Sequence, residues 1–567
     1  MTISRVRNST NDLALLFRTF ADGIPSSRVE YGLIWLAPIA IGIVAALLPP
    51  GANWDLGNYH YHNAWAFLNG RFDVDLAPAW FHSYLNPIED VPFYLGNRYL
   101  PGRLVAFSMG LVQGVSFPLI YLLARRLVFR AATWRDALGA ALLTVLAIAS
   151  PEWTLQLGST YYDYLGSLAA LGSLLMLATP AAPAGMRWRI FAAGLMIGVT
   201  VGAKETNVAM AIGIGVALPL LACTWREAAI AVVVFALGGV LGTLATGGYW
   251  GWFLWEHFHN PVFPFFDGIF HSPLGSSTQL KSEAHTARGI FEYLFYPVVG
   301  YFNWPRDEDI AMWDLRFPLL NVMIPFGALL LFIRRASATD LTKSAPPRFL
   351  PFLLVSLAVS YFFWLVAFGI MRYALTMLLL APLVIAMVLA LFPWRRFRPA
   401  IGAAMAVAAL AGSWHANRGV GNWHNFDGHM VAAILPDVGL SASDLVLLRG
   451  GSMSFLTPWF PPGTRFIGSS THPIWDSTLP RFSELAACRI ATHRGNIFAV
   501  IDSAANVGAA RYAREIDLAA YGLHIATARC RPIQSTQRAP GDNLLCPVER
   551  VGAPIVNTPC TATIGAR

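Results

Sequence analysis

Charge is what this sequence has least of. Asp, Glu, Lys and Arg together make up 13% of the 567 residues, about half the share of a soluble globular chain. That shortage excludes an ordinary soluble protein, because too few groups remain to solvate the surface of a chain that is 56% hydrophobic. Cysteine is also sparse, with five residues and no CxxC or Cys/His spacing, which excludes a zinc ribbon or finger. No internal repeat is evident. No cleavable signal sequence is present either: the first thirty residues are polar and Arg-bearing, and the apolar run Tyr31–Leu48 is long enough to serve as an uncleaved anchor. The formal net charge of +8 does not indicate a nucleic-acid partner, since the basic residues sit in short clusters between apolar runs rather than in a stripe with interleaved aromatics.

The runs themselves fill the chain from Tyr31 to about Trp414. With roughly twenty residues per membrane crossing, they predict an α-helical polytopic membrane protein of about eleven spans. The spans fall near 31–49, 102–123, 136–150, 160–179, 190–203, 206–222, 228–247, 317–333, 349–368, 373–392 and 399–415. The basic clusters then share one side: Arg125, Arg126, Arg130 and Arg135; Arg187 and Arg189; Arg226; Arg334, Arg335, Lys343 and Arg348; Arg395, Arg396 and Arg398. Arg5, Arg7, Arg18 and Arg28 join them, so residues 1–30 are read as a cytoplasmic segment. This pattern requires a hairpin turning at Gly202–Asn207 rather than one long helix over 190–222. It leaves 31–415 as the membrane portion, with large outer loops at 50–101 and 248–316.

Residues 416–567 have ordinary polarity and read as a small extramembrane α/β domain on the outer side. Strands are expected at Leu445–Leu448 and Ile497–Ile501, and a helix over Ala509–Tyr521. The domain holds Cys488, Cys530, Cys546 and Cys560, whose concentration suggests disulfides in an oxidising compartment. Cys223 ends an apolar run.

Chemistry is expected where ionisable groups stand at the outer ends of spans. Asp55, in Asn53-Trp54-Asp55, lies just past the first span, where a carboxylate can take a proton from a hydroxyl; it is equally suited to capping the aromatic, amphipathic segment 58–68. His60 and His62 form an HxH pair, but residues two apart point in different directions on a helix, so they are polar interface residues and no metal is expected. Asp163 would sit in the mouth of the fourth span, where an ionisable group is costly, whereas Glu152 is placed in a solvated turn. Lys204 at the outer hairpin and Arg372, followed by Tyr373, break the positive-inside pattern. Snorkelling or pairing with Glu205 would accommodate Lys204. A lipid phosphate in a poorly hydrated place would call for both cations, a point charge and a bidentate fork. Glu256, His257 and His259 lie in a Pro- and aromatic-rich stretch suited to an interfacial lid, and could assist there.

Together, Asp55, Tyr162-Asp163 before the fourth span, Gly202-Ala203-Lys204 at a hairpin, and Arg372-Tyr373 opening a late span resemble the GT-C class of membrane glycosyltransferases. That class includes protein O-mannosyltransferases and the lipid A aminoarabinose transferase. The stretch Asn260-Pro261-Val262-Phe263-Pro264 and the Cys-bearing tail look like bacterial members. The sequence departs from many relatives in lacking a double acidic pair in the first loop: Leu56 follows Asp55, and Asp73 and Asp75 lie far on. The resemblance implies transfer of a sugar from a polyprenyl-phosphate donor to a glycan, lipid or protein hydroxyl at the outer face of the bacterial inner membrane. It implies Asp55 as base, Asp163 placing acceptor or sugar, and Lys204 and Arg372 on the departing phosphate. Tyr373, His60, Glu256 and His259 would line the substrate; no cofactor is indicated, and a divalent metal stays open. The competing readings are a lipid-linked glycan transporter, an O-antigen polymerase or ligase, and a non-catalytic assembly protein.

Overall fold

A computed structural model describes residues 27–49, 51–180, 182–272, 287, 289–302, 312–334, 348–415, 428–469, 480–502, 518–519, 521–539 and 541–552. All eleven apolar stretches are helical. Among the described residues, six helices are long and apolar enough to cross a membrane: Arg28–Leu47, Gly102–Leu127, Trp225–Phe258, Arg316–Ile333, Phe349–Ala367 and Met371–Ala390. The helices Asp163–Ala178 and Ile290–Phe302 and the segment Glu205–Leu221 are apolar but shorter.

The segment Met371–Ala390 is almost wholly enclosed by other helices, and its first turn carries Arg372. By contrast, Trp225–Phe258 exposes Val233, Leu237, Val240, Leu241 and Leu244, a row of aliphatic side chains that hydrocarbon would cover. This helix runs 34 residues, about 50 Å at 1.5 Å per residue. It therefore continues eleven residues past the expected end of its span, and the outer loop expected from 248 begins as helix. Its partner, Pro183–Ala203, meets it along small residues. A Cβ on Gly198 would lie 2.1 Å from the Gly239 carbonyl oxygen, and one on Gly202 2.3 Å from that of Thr243. Such contact between backbones is how helices associate where water offers no hydrophobic drive. Thr246 Oγ1 adds a hydrogen bond to the Val199 carbonyl at 2.7 Å. The expected hairpin forms here: the helix ends at Ala203, and a short 3₁₀ turn, Glu205–Asn207, leads into Val208–Ala217.

Past the helices lies a seven-stranded mixed sheet. Leu445–Arg449 runs parallel to both Arg465–Ser469 and Ile497–Asp502, and Asn543–Arg550 pairs antiparallel with Ile497–Asp502. Both expected strands are present; the helix expected over Ala509–Tyr521 lies largely outside the described residues. Side chains alternate across a strand, and here each face meets a different core. Val446, Leu448, Phe498 and Val500 pack with Leu56, Tyr61 and Phe455, on the membrane side. Leu445, Leu447, Ile497 and Ala499 pack with Leu485 and Ile490 of the helix Pro480–Thr492 and with Trp250, Leu254 and Phe258. Cys530 and Cys546 form a disulfide, and Cys488 is also disulfide-bonded. Cys223 is a free, exposed thiol.

The first outer loop is the mortar between the two parts. Leu76 pairs with the edge strand, donating N–H to Phe466 O and accepting from Gly468 N, each at 2.9 Å. Arg71 grips Asp75 with two hydrogen bonds of 2.9 and 2.6 Å, and Asp75 in turn accepts from Phe466 N. Asp75 is thus a joint between loop and sheet. Glu152, expected in a solvated turn, is instead wholly buried and accepts from Gln156 Nε2 at 2.9 Å. The helix Pro151–Leu155 is enclosed by its neighbours rather than open to water, and hydrogen bonding takes the place of solvation.

Candidate functional site

Asp55 ends up free of the capping role its position invited. The first helical turn after it, Leu56–His60, is π-helical, a rare conformation that is frequent at functional sites. Asp55 makes no side-chain cap bond to it. Asn53 does this work: its Oδ1 accepts from Leu56 N at 2.7 Å, while its Nδ2 reaches Thr160 Oγ1 at 3.2 Å. The Asp55 carboxylate instead accepts a short charge-assisted bond from Arg372 Nη1, across 317 residues of chain. Both side chains are about nine-tenths enclosed, 8% and 10% exposed. Burial pushes the Asp55 carboxyl up, but Arg372, with Lys204 behind it, overrides burial and holds the group below its ordinary value.

A second pair lies beside the first. Lys204 Nζ donates to Asp163 Oδ1 at 2.6 Å and to the Tyr161 carbonyl at 2.7 Å. Tyr162 adopts a left-handed conformation, φ 59°, rare for a bulky residue. It ends the approach to the helix Asp163–Ala178, whose first residue is Asp163. The carboxylate therefore stands at the positive end of that helix dipole, and its Oδ2 has no hydrogen-bond partner. Aromatic faces join the two pairs. The Arg372 guanidinium lies 5.0 Å from the Tyr161 ring centre and 5.2 Å from that of Tyr373, and Lys204 Nζ lies 5.4 Å from the latter. Arg372 Nη2 also donates to Tyr373 OH at 3.3 Å. These rings exclude water and leave two cations side by side over π-faces.

His60 forms the third element. Its Nδ1 meets Asp90 Oδ1 at 2.6 Å, its ring packs edge-on against Tyr162 at 5.2 Å, and its Nε2 has no partner. Burial keeps His60 neutral, far below the usual imidazole value. Burial pushes Glu89 and Asp90 both upward, toward the neutral acids; Asp163 and Glu205 add to the rise at Glu89, and Glu89 adds to it at Asp90. His60, Glu89 and Asp90 bring one ligand atom each within 4.8 Å of one another, a nitrogen and two carboxyl oxygens suited to a divalent cation once deprotonated. Sequence reasoning passed over Glu89 and Asp90. They are an adjacent acidic pair in the same outer loop, 29 and 30 residues beyond His60. Asn86 carries it in, donating to the carbonyls of Gly202 at 2.8 Å and Thr246 at 3.0 Å and so locking the loop to the ends of the two packed helices.

His62 points elsewhere, as the helical spacing requires, with Nδ1 2.8 Å from Thr457 Oγ1 of the α/β part. Tyr373 stands with the cations. Glu256 and His259 do not join: both are exposed at the end of the long helix, and neither contacts Asp55, Lys204 or Arg372. His257 reaches Asp73 instead, at 3.0 Å. His82 stacks on Tyr59 at 5.1 Å and lies edge-on to Trp54 at 5.2 Å, flanking Asp55 with aromatic surface that no motif had marked.

Neither a protein-family model nor a curated protein sequence matches the chain. Among solved structures it is similar to ArnT from Cupriavidus metallidurans in the apo state, with 13% identity over 91% of this chain and 97% of that one and a TM-score of 0.49. It is similar to the same protein bound to undecaprenyl phosphate, with 13% identity, 92% and 98% coverage and a TM-score of 0.47. It is also similar to the mycobacterial arabinofuranosyltransferase AftD, with 15% identity over 92% of this chain and 40% of that one and a TM-score of 0.48.

Proposed function

We propose that this chain is a GT-C-type membrane glycosyltransferase that moves a sugar from a polyprenyl-phosphate donor to an acceptor hydroxyl at the outer face of a bacterial inner membrane. One observation carries the reading: two acids and two cations from four separate stretches, paired as Asp55 with Arg372 and Asp163 with Lys204, meet in one aromatic-walled place at the ends of apolar helices.

The chemistry follows from what each group can hold. The donor phosphate seeks the most concentrated positive charge in reach, the Arg372 fork and the Lys204 point charge. As the phosphate engages Arg372, it competes with Asp55 for the guanidinium and weakens the field that keeps this carboxyl acidic. The base therefore strengthens when the donor is bound. The acceptor hydroxyl gives its proton to Asp55, its oxygen bonds to the anomeric carbon with inversion, and the bond to phosphate oxygen breaks. The leaving phosphate departs as an anion on the two cations, so no acid is needed opposite the base. Asp163 positions Lys204 through the 2.6 Å bond. If a divalent cation enters at His60, Glu89 and Asp90, it adds a third positive charge beside the same pocket.

Transfer of radiolabelled sugar from polyprenyl-phosphate donors in membranes tests the reading directly. Asp55→Asn should express normally and lose transfer by about 10²–10⁴-fold, the range of a general base. Unchanged turnover would remove Asp55 from the reaction. Lipid bound but never cleaved by the wild type would favour a transporter.

A further inference from the structure

A second polar cavity lies away from the Asp55 cluster and shares no residue with it. It has a volume of about 600 Å³ and opens between the first outer loop and the α/β part. Its walls carry Arg465, Arg489, Arg494 and His493 against a single carboxylate, that of Asp73. Asp73 is already engaged by His257 on the loop side and is 71% exposed. The nearby Asp75 is consumed by Arg71. Among the described residues, three guanidinium groups therefore face one cavity with little negative charge to answer them.

One of the three guanidinium groups is fixed in place. Arg489 is half-buried, and its Nη1 is fixed on the Val74 carbonyl at 2.7 Å, leaving the rest of the fork to the cavity. Burial lowers its pKa, Tyr84 and Asp75 act against that lowering, and Arg465 adds a smaller part to it. The C-terminus of the helix Pro480–Thr492 also ends here, and its carbonyls would repel an anion. Arg550 covers them, donating to Ile490 O and His493 O at 2.8 Å each. The hydroxyl-bearing residues Ser443 and Thr492 lie on the same walls.

We infer that this cavity binds a phosphate group, held by the forks of Arg465, Arg489 and Arg494. Free phosphate and a phospholipid headgroup share that chemistry, and the volume admits a phosphorylated headgroup or sugar. The inference stands independently of the glycosyltransferase reading.

The test uses the full chain in neutral detergent, titrated calorimetrically with inorganic phosphate at low salt. In a second arm, the chain in nanodiscs of phosphatidylcholine, with and without phosphatidylglycerol, is followed by the thermal midpoint. Arg465 and Arg494 are exposed, so Arg465→Ala and Arg494→Ala should fold normally, and each should weaken binding about tenfold or more. Saturable phosphate binding that the double variant loses would identify the free oxyanion as ligand. Stabilisation by phosphatidylglycerol that the double variant loses, without binding of free phosphate, would identify the headgroup. Absence of both effects, or effects that persist in the double variant, would overturn the inference.

Discussion

Replacing Arg372 with Gln probes the centre of the site. The guanidinium is the main counter-charge to Asp55, and both side chains are about nine-tenths enclosed. Removing it leaves a carboxylate in a water-poor place, with Lys204 already committed to Asp163. Breaking a buried pair from one side costs about 3–5 kcal/mol; the remaining attraction of Lys204 argues for the lower end, about 3 kcal/mol. Asp55→Asn should cost less, because Arg372 keeps its contacts with Tyr161 and Tyr373. The double variant puts two neutral amides face to face and should regain most of the loss, giving a coupling energy of about 2 kcal/mol. Reversible unfolding in mixed micelles, followed by circular dichroism across all four proteins, measures this. A double-variant loss equal to the sum of the two single losses would show that the pair carries no net attraction.

The same variant makes a kinetic statement that a merely structural pair would not. With Arg372 gone, burial outweighs the remaining pull of Lys204 on Asp55, and its pKa rises. A base works only when ionised, so the acid limb of the pH–rate profile of any residual transfer should move to higher pH. An unmoved limb would mean that Asp55 does not titrate in the reaction.

Three further outcomes follow from neighbouring residues. Asn53→Ala removes the cap on the turn after Asp55; it should cost about 1 kcal/mol and depress kcat more than donor KM as Asp55 is drawn to the vacant N–H, a split that steady-state kinetics reads. Lys204→Met should abolish donor binding in a filter assay, and Lys204→Arg should restore it only in part, because Nζ fits as a point charge between Tyr161 O and Asp163; full rescue by Arg would contradict that fit. Glu89 and Asp90, held neutral in the fold, bind more protons folded than unfolded, so their contribution is whole below the ordinary carboxyl range of about pH 4 and is lost as pH rises toward their elevated folded values. Glu89→Gln should flatten the alkaline fall of the thermal midpoint between about pH 5 and 9, and an unchanged slope would place the proton elsewhere.

What the sequence disclosed about this site was its charge, and what it withheld was its geometry. Asp55, Asp163, Lys204 and Arg372 stand out because an ionisable side chain at the end of an apolar helix is expensive, and that cost is local enough to read residue by residue. The apolar runs were legible for the same reason, as was the hairpin at Gly202–Asn207, which the positive-inside bias demanded. The end of the long helix was not legible, because the residues after Gly247 keep their aromatic, helix-compatible character while their partner changes from lipid to the sheet core around Phe258 and Leu485. Glu256 and His259 were drawn in by composition alone, and nothing in composition says which face of a helix end meets which neighbour.

Glu89 and Asp90 escaped for a deeper reason. Two acids in a polar outer loop carry no local penalty, so nothing in the sequence marks them until Asn86 fastens the loop across Gly202 and Thr246. Only then do they come beside His60, with Asp90 buried, Glu89 half-buried and both carboxyls shifted upward. The fastening works because the two helices approach through glycine and leave their end carbonyls side by side. The small-residue seam between those helices thus serves the chemistry as well as the packing: a bulkier residue at Gly202 would part the helices, separate the two carbonyls that Asn86 bridges, and withdraw the acidic pair from His60 while leaving Asp55 and Arg372 in place.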